Sequence, residues 1–150
     1  MRFILCAGLL MAGAVPAFAS GGLSCEAEGG SAKIAVESGV TRGMGSPVFN
    51  FRGSVVISEK SVAEDLRTTA FTGEHLAQYW LDGEELRLVL YREREGDKPH
   101  GYVEITVLTK SHGDEGGYAG TYDLTAYDGT GDDPEGKTVK LEGKIGCFVE

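Results

Sequence analysis

Basic charge, cysteine, histidine and long apolar runs are all scarce in this chain, and each scarcity removes a class of function. Lys and Arg number 14 against 23 Asp and Glu in 150 residues, a formal charge of −9. Nucleic-acid binding depends on basic side chains that displace counterions from phosphates, so no nucleic-acid partner is expected. The three histidines, His75, His100 and His112, lie at least 12 residues apart, and His100 and His112 bracket one predicted strand at its opposite ends. That placement argues against shared ligation, and no metal is expected. No G-x-S-x-G elbow presents a serine nucleophile. With no catalytic residue and no cofactor assigned, the chain is expected not to be an enzyme.

The one long apolar stretch is at the start. Met1 and Arg2 precede Phe3 to Val15, which runs through Pro16 into Ala17-Phe18-Ala19, a small-x-small cleavage pattern before Ser20. This predicts a secretory signal peptide over 1–19 and a single β domain over 20–150. The stretch is shorter than the roughly 20 residues a spanning helix needs, so no membrane span is expected after cleavage. Removing 19 residues leaves 131, and without Arg2 there are 13 basic residues against 23 acidic ones, a charge of −10. Cys6 leaves with the signal. Cys25 and Cys147 then form an even pair in an oxidising compartment, periplasmic or secreted, and are predicted to be a disulfide that brings the two chain ends together.

Between those cysteines the pattern has period two. Ala32, Ile34 and Val36 alternate with polar or small neighbours; Phe49, Phe51, Val55 and Ile57 are read as one face across Gly53. Leu86, Leu88 and Leu90 precede Val103, Ile105 and Val107 as hairpin partners, and Tyr118, Tyr122 and Leu124 precede Val139, Leu141, Ile145 and Cys147. The segment His75 to Leu81 is a weaker strand, since Leu76, Tyr79 and Trp80 fit neither period. Turn chemistry separates the runs, at Asp82-Gly83 and Gly113 to Gly117 among others, and much of the chain's 23 glycines is assigned there. Ser61-Val62-Ala63-Glu64 reads as a capping box and predicts one short helix over 61–67. The fold class is therefore all-β: an antiparallel meander of about seven to eight strands, closing as a small barrel or packing as a sandwich, with closure favoured because it removes exposed edges.

Some motifs match in letters only. Gly131-Asp132-Asp133-Pro134-Glu135-Gly136-Lys137-Thr138 satisfies G-x-x-x-x-G-K-[ST], yet a phosphate loop must open a helix, and Thr138 onward alternates as a strand. Asp128, Thr130 and Asp132 begin a calcium-loop spacing that fails at Asp133, where glycine is needed, and at Val139, where a glutamate belongs. The surface is more informative. Arg87, Arg92, Arg94 and Lys98 concentrate basic charge near Tyr79, Trp80, Tyr91 and Tyr102 in an otherwise acidic protein. Arginine beside aromatics is typical of interface hot spots. By parity Arg92 and Arg94 continue the inward face of Leu86, Leu88 and Leu90, making that end polar like a barrel mouth. The glycine-rich loop Thr41 to Pro47 adds Arg42 and Met44. The candidate partner-binding residues are thus Arg42, Met44, Tyr79, Trp80, Tyr91, Arg92, Arg94 and Tyr102.

A signal peptide, alternating strands and cysteines near both ends resemble small exported bacterial β-proteins, and the overall plan is similar to that of periplasmic lysozyme inhibitors with a small barrel. Their loop motifs are absent here, so the resemblance carries over no functional residue. The stretches Gly39 to Gly53 and Tyr79 to Gly101 also resemble hypothetical exported proteins of alphaproteobacteria, which implies a compartment and not a reaction. The expected function is a non-enzymatic exported binding protein, an inhibitor or immunity-type protein acting on a basic envelope or secreted enzyme. Its partner is a protein, steered by opposite charge, and the chain itself is expected to be a monomer. The alternatives are a small-ligand carrier, with Phe49, Phe51, Leu88, Tyr122 and Leu124 lining its cavity, and a carboxylate-based glycan-acting enzyme.

Overall fold

Nine strands turn the alternation into one antiparallel sheet. The computed structural model describes residues 20–41, 47–113 and 115–150; the predicted signal peptide, 1–19, and the candidates Arg42 and Met44 lie outside the described residues. In chain order the strands are β1 (Ser20–Ala27), β2 (Ala32–Thr41), β3 (Val48–Ile57), β4 (Thr68–Thr72), β5 (Leu76–Leu81), β6 (Glu85–Glu93), β7 (Gly101–Ser111), β8 (Gly117–Asp128) and β9 (Lys137–Val149). Their lateral order is β4-β3-β2-β1-β9-β8-β7-β6-β5. No helix among the described residues is long and apolar enough to cross a membrane.

The sheet is a nearly closed barrel, stitched where the chain ends meet and left open in mid-chain. Because every neighbouring pair is antiparallel, β4 and β5 run in the same sense. A single 3-10 turn, Gly73–His75, separates them. They behave as two halves of one bent strand, the first hydrogen-bonded to β3 and the second to β6. The expected seven to eight strands become nine because β1 and β4 add to the alternating segments, β4 sharing one position with β5 across that turn. At the open seam Arg92 of β6 donates to the carbonyl of Ala70 in β4 at 2.5 Å. At the stitched side Cys25 of β1 stands opposite Cys147 of β9 and is bonded to it, with the Cα atoms 4.0 Å apart. A bond of this kind persists in an oxidising compartment.

Inward parity holds along β2, β6 and β7, where Ile34, Val36, Leu86, Leu88, Leu90, Val103, Ile105 and Val107 are all buried. It breaks in β3. Phe51, Val55 and Ile57 point into the core, but Phe49 is 41% exposed on the outside. The register between β2 and β3 slips between Glu37 and Gly39, and opposite the slip Asn50 takes φ 52°. One extra residue in β3 forms a bulge that turns everything before it to the other face. The ring of Phe49 then lies over Gly39, where a Cβ would fall 2.2 Å from it. The reading of Phe49 and Phe51 as one face is thereby corrected. A β-branched residue pays roughly 1–2 kcal/mol for this backbone region, so Asn50→Val is expected to lose about that much in urea unfolding while Asn50→Gly stays within about 0.5 kcal/mol of the parent. Equal stabilities for the two variants would rule out a bulge that depends on the left-handed residue.

A second slip, between Leu76 and Gln78, explains why β5 fits no period. Leu76, Tyr79 and Leu81 all pack against the core across it. The predicted helix over 61–67 shrinks to a 3-10 turn, Glu64–Leu66, that begins after Ala63 with no side-chain cap. Ser61 instead uses its backbone N–H to bond the Glu59 carboxylate. So short a segment gains little from helical bonds, and the burial of Val62 and Leu66 at 3% and 5% fixes it as a plug over one barrel end. A reciprocal capping box does occur, at Thr72 and His75 in the mid-chain turn.

Candidate functional site

Two groups of candidates separate once the strands are paired: those at the plugged barrel end, and those on the outer face of β5 to β8. At the barrel end Arg94 continues the inward parity of β6, and its side chain is only 4% exposed. Its Nε donates to Asp65 at 2.7 Å, its Nη2 to Asp128 at 2.9 Å and its Nη1 to the carbonyl of Pro99 at 2.8 Å. Burial pushes both carboxyl groups up. Hydrogen bonds and charge from Arg94, joined at Asp128 by Thr130 and at Asp65 by its own backbone N–H and by Lys98, outweigh that and hold both below the ordinary carboxylate value. Arg94 therefore ties the plug to β8 and to the β6–β7 loop, and it is not available to a partner. Arg92 bonds Glu95 at 2.7 Å as well as Ala70. It borders an open seam pocket of about 360 Å³ with Thr68, Ala70 and Glu95.

On the outer face, register lines up residues from neighbouring strands. Trp80 stands beside Arg87 and then Leu108; Gln78 beside Val89 and Thr106. Further along, Tyr91 stands beside Glu104 and Thr125, and Glu93 beside Tyr102 and Tyr127. Alternate residues of a strand advance about 7 Å, so the Trp80 row and the Tyr102 row are roughly 20 Å apart on one continuous surface. At the Trp80 end a shallow groove of about 490 Å³ is floored by Val89 and Thr106 and walled by Trp80 and Leu108. Trp80 is 55% and Leu108 45% exposed. The indole N–H is held by Asp82 at 3.2 Å, which fixes the ring while leaving its face open.

At the other end the aromatic rings form a ladder. Tyr91 and Tyr102 are 5.3 Å apart between centroids, Tyr102 and Tyr127 5.5 Å in a stacked arrangement, and His100 lies 5.7 Å from each of the last two. The Tyr91 hydroxyl donates to Glu93 at 2.9 Å. Burial, then the hydrogen bond and charge of Glu93, then Tyr102 and Glu104, push its ionisation up to about 12.

Of the predicted candidates, the outer face brings together Trp80, Tyr91 and Tyr102. Tyr79 points inward, its hydroxyl buried without a hydrogen-bond partner among the described residues. Sequence reasoning missed Leu108 and Tyr127, which join the face through cross-strand pairing, and His100 and Glu104, which flank Tyr102 two residues away on either side. For a ligand cavity, Phe51, Leu88, Tyr122 and Leu124 are packed into the one hydrophobic core, and Phe49 is outside it. The phosphate-loop letters run from a turn directly into β9, whose first residues are Lys137 and Thr138. No group of three or more His, Cys, Asp or Glu among the described residues is placed to hold a metal ion. No family model, no curated protein and no solved structure matches this chain.

Proposed function

We propose that the chain is a non-enzymatic exported binding protein, periplasmic or secreted, that engages a basic protein through the outer face of β5 to β8. One observation carries the reading: the single tryptophan is held with its ring exposed above an apolar groove, on the same surface as a tyrosine ladder. Exposed aromatics that are fixed in place lose little side-chain entropy on docking, which is why they dominate interface energetics. The acidic balance of the chain supports a basic partner, because opposite charge raises the encounter rate and disfavours acidic competitors. An inhibitor or immunity role against an envelope or secreted enzyme fits both features.

The immobilised protein, incubated with periplasmic and culture-medium fractions, is expected to retain a discrete protein of basic isoelectric point. Trp80→Ala should cut the retained amount about tenfold or more, the usual scale of a hot-spot aromatic, with an unchanged far-UV spectrum. No specific protein at low or moderate salt, or equal retention by Trp80→Ala, would overturn the proposal.

A further inference from the structure

The Tyr91, Tyr102 and Tyr127 ladder is more specialised than an apolar patch, because carboxylates surround it. Glu93 flanks Tyr102 in register and binds the Tyr91 hydroxyl; Glu104 flanks Tyr91 on the next strand. The following outward row carries Asp123 opposite Thr106, with Glu142 beyond it on β9. Lys140 on β9 is the nearest base on these outward rows, three strands from Tyr91. Burial, and after it the hydrogen bond and charge of Glu93 with Tyr102 and Glu104, push the ionisation of the Tyr91 hydroxyl up. Aromatic faces attract cations through their quadrupole, and nearby carboxylates add to the attraction.

We infer that the ladder, with Glu93 and Glu104, is the place on this surface where arginine side chains of the basic partner dock. The inference rests on the binding reading above and adds the chemistry of recognition. Arginine fits better than lysine for two reasons. Its planar guanidinium stacks on tyrosine, and its fork of donors can meet a carboxylate at two points, whereas an ammonium is a strongly hydrated point charge. Glu104 sits half-buried between Tyr91 and Thr125 in register, beside the ladder. Tyr102 and Tyr127 brace each other by stacking, and the ring a guanidinium would meet is already ordered.

The test uses the intact protein with two probes of equal charge, a hexa-arginine and a hexa-lysine peptide, followed by NMR of the tyrosine rings. Hexa-arginine is expected to bind about fivefold tighter than hexa-lysine and to shift Tyr91, Tyr102 and Tyr127. Tyr102→Leu and Glu104→Gln should each weaken it about fivefold, the range of a cation-aromatic contact, while Tyr102→Phe, which keeps the ring, should bind like the parent. Equal affinities for the two peptides would overturn the inference. So would shifts confined to the acidic loop from Asp132 to Glu135, or unchanged binding by Glu104→Gln in a folded protein. Partner capture that persists when the peptide fails to reach the ladder sinks this site and leaves the binding reading standing. Peptide binding at the ladder without any captured partner does the reverse.

Discussion

Replacing both Cys25 and Cys147 by serine is expected to cost about 4 to 5 kcal/mol. The bond joins residues 122 positions apart. Cutting a loop of that length restores a large conformational freedom to the unfolded chain, and the cost grows with the logarithm of loop size. Its position in the sheet makes the effect local as well. Only Leu23 to Glu26 pair with β9, whereas β9 pairs with β8 along twelve residues, Gly117 to Asp128. The β1–β9 ladder is the one that stitches the barrel, so its loss opens the sheet at the chain ends. The double variant should therefore melt about 10–20 °C lower and show faster amide exchange in β1 than in β7. Non-reducing mass spectrometry of the protein beginning at Ser20 should find no free thiol. A loss below about 1 kcal/mol would mean that the termini are held by the ladder alone, with little gain in unfolded-state freedom.

Alternation was sufficient to place β2, β6 and β7, because each keeps one residue per step and its inward set is apolar but for Ser38, Arg92 and Thr109 towards the strand ends. The disulfide was legible for a different reason: removing Cys6 left a single possible pair, and strand parity already turned Cys147 inward. Parity failed where a strand gained a residue. Phe49-Asn50-Phe51 looks like clean alternation, and the only local sign of the bulge is asparagine, one of the few residues that tolerate left-handed backbone. At β5 the slip beside Ala77 left no such mark.

Glycine misled in part. Gly39 and Gly143 lie in strands beneath Phe49 and Tyr122, not in turns, because a ring from the neighbouring strand covers each one. The surface site was only half legible. Tyr91 and Tyr102 are close enough in sequence to be noticed together, but Tyr127 joins them through the pairing of β7 with β8. Arg94 was read by parity as part of a polar barrel mouth, but its partners, Asp65 and Asp128, are 29 and 34 residues away. Contacts at such separations depend on register, which no local pattern encodes.

Arg94→Ala is expected to cost about 3 kcal/mol at pH 7, the lower end for removing one member of a buried ion cluster, since Asp65 keeps a third of its side chain in solvent. The loss arises less from the attraction given up than from leaving Asp128 with no counter-charge and Asp65 with Lys98 alone, at 3.5 Å. Its pH dependence separates this cause from simple loss of packing. In the folded parent Asp65 and Asp128 titrate below their ordinary value, so the stabilisation they contribute is complete above about pH 4. It fades as pH falls through their folded values. In Arg94→Ala the bonds from Thr130 to Asp128, and from its own backbone N–H and Lys98 to Asp65, remain, but the lowering by Arg94 is lost at both, so both carboxyl groups protonate more readily than in the parent. That variant should therefore lose less stability than the parent as pH falls below about 4. The difference between the two should shrink towards about 1 kcal/mol near pH 3. Arg94→Lys should recover less than half of the loss, because one ammonium cannot span Asp65, Asp128 and the Pro99 carbonyl together. Parallel stability curves for parent and Arg94→Ala between pH 7 and pH 3 would dispose of the ion-cluster account. The Pro99 contact also extends the consequence to the binding face. It anchors the loop that carries His100 against Tyr102 and Tyr127, so Arg94→Ala should shift the ring resonances of both tyrosines although it touches neither.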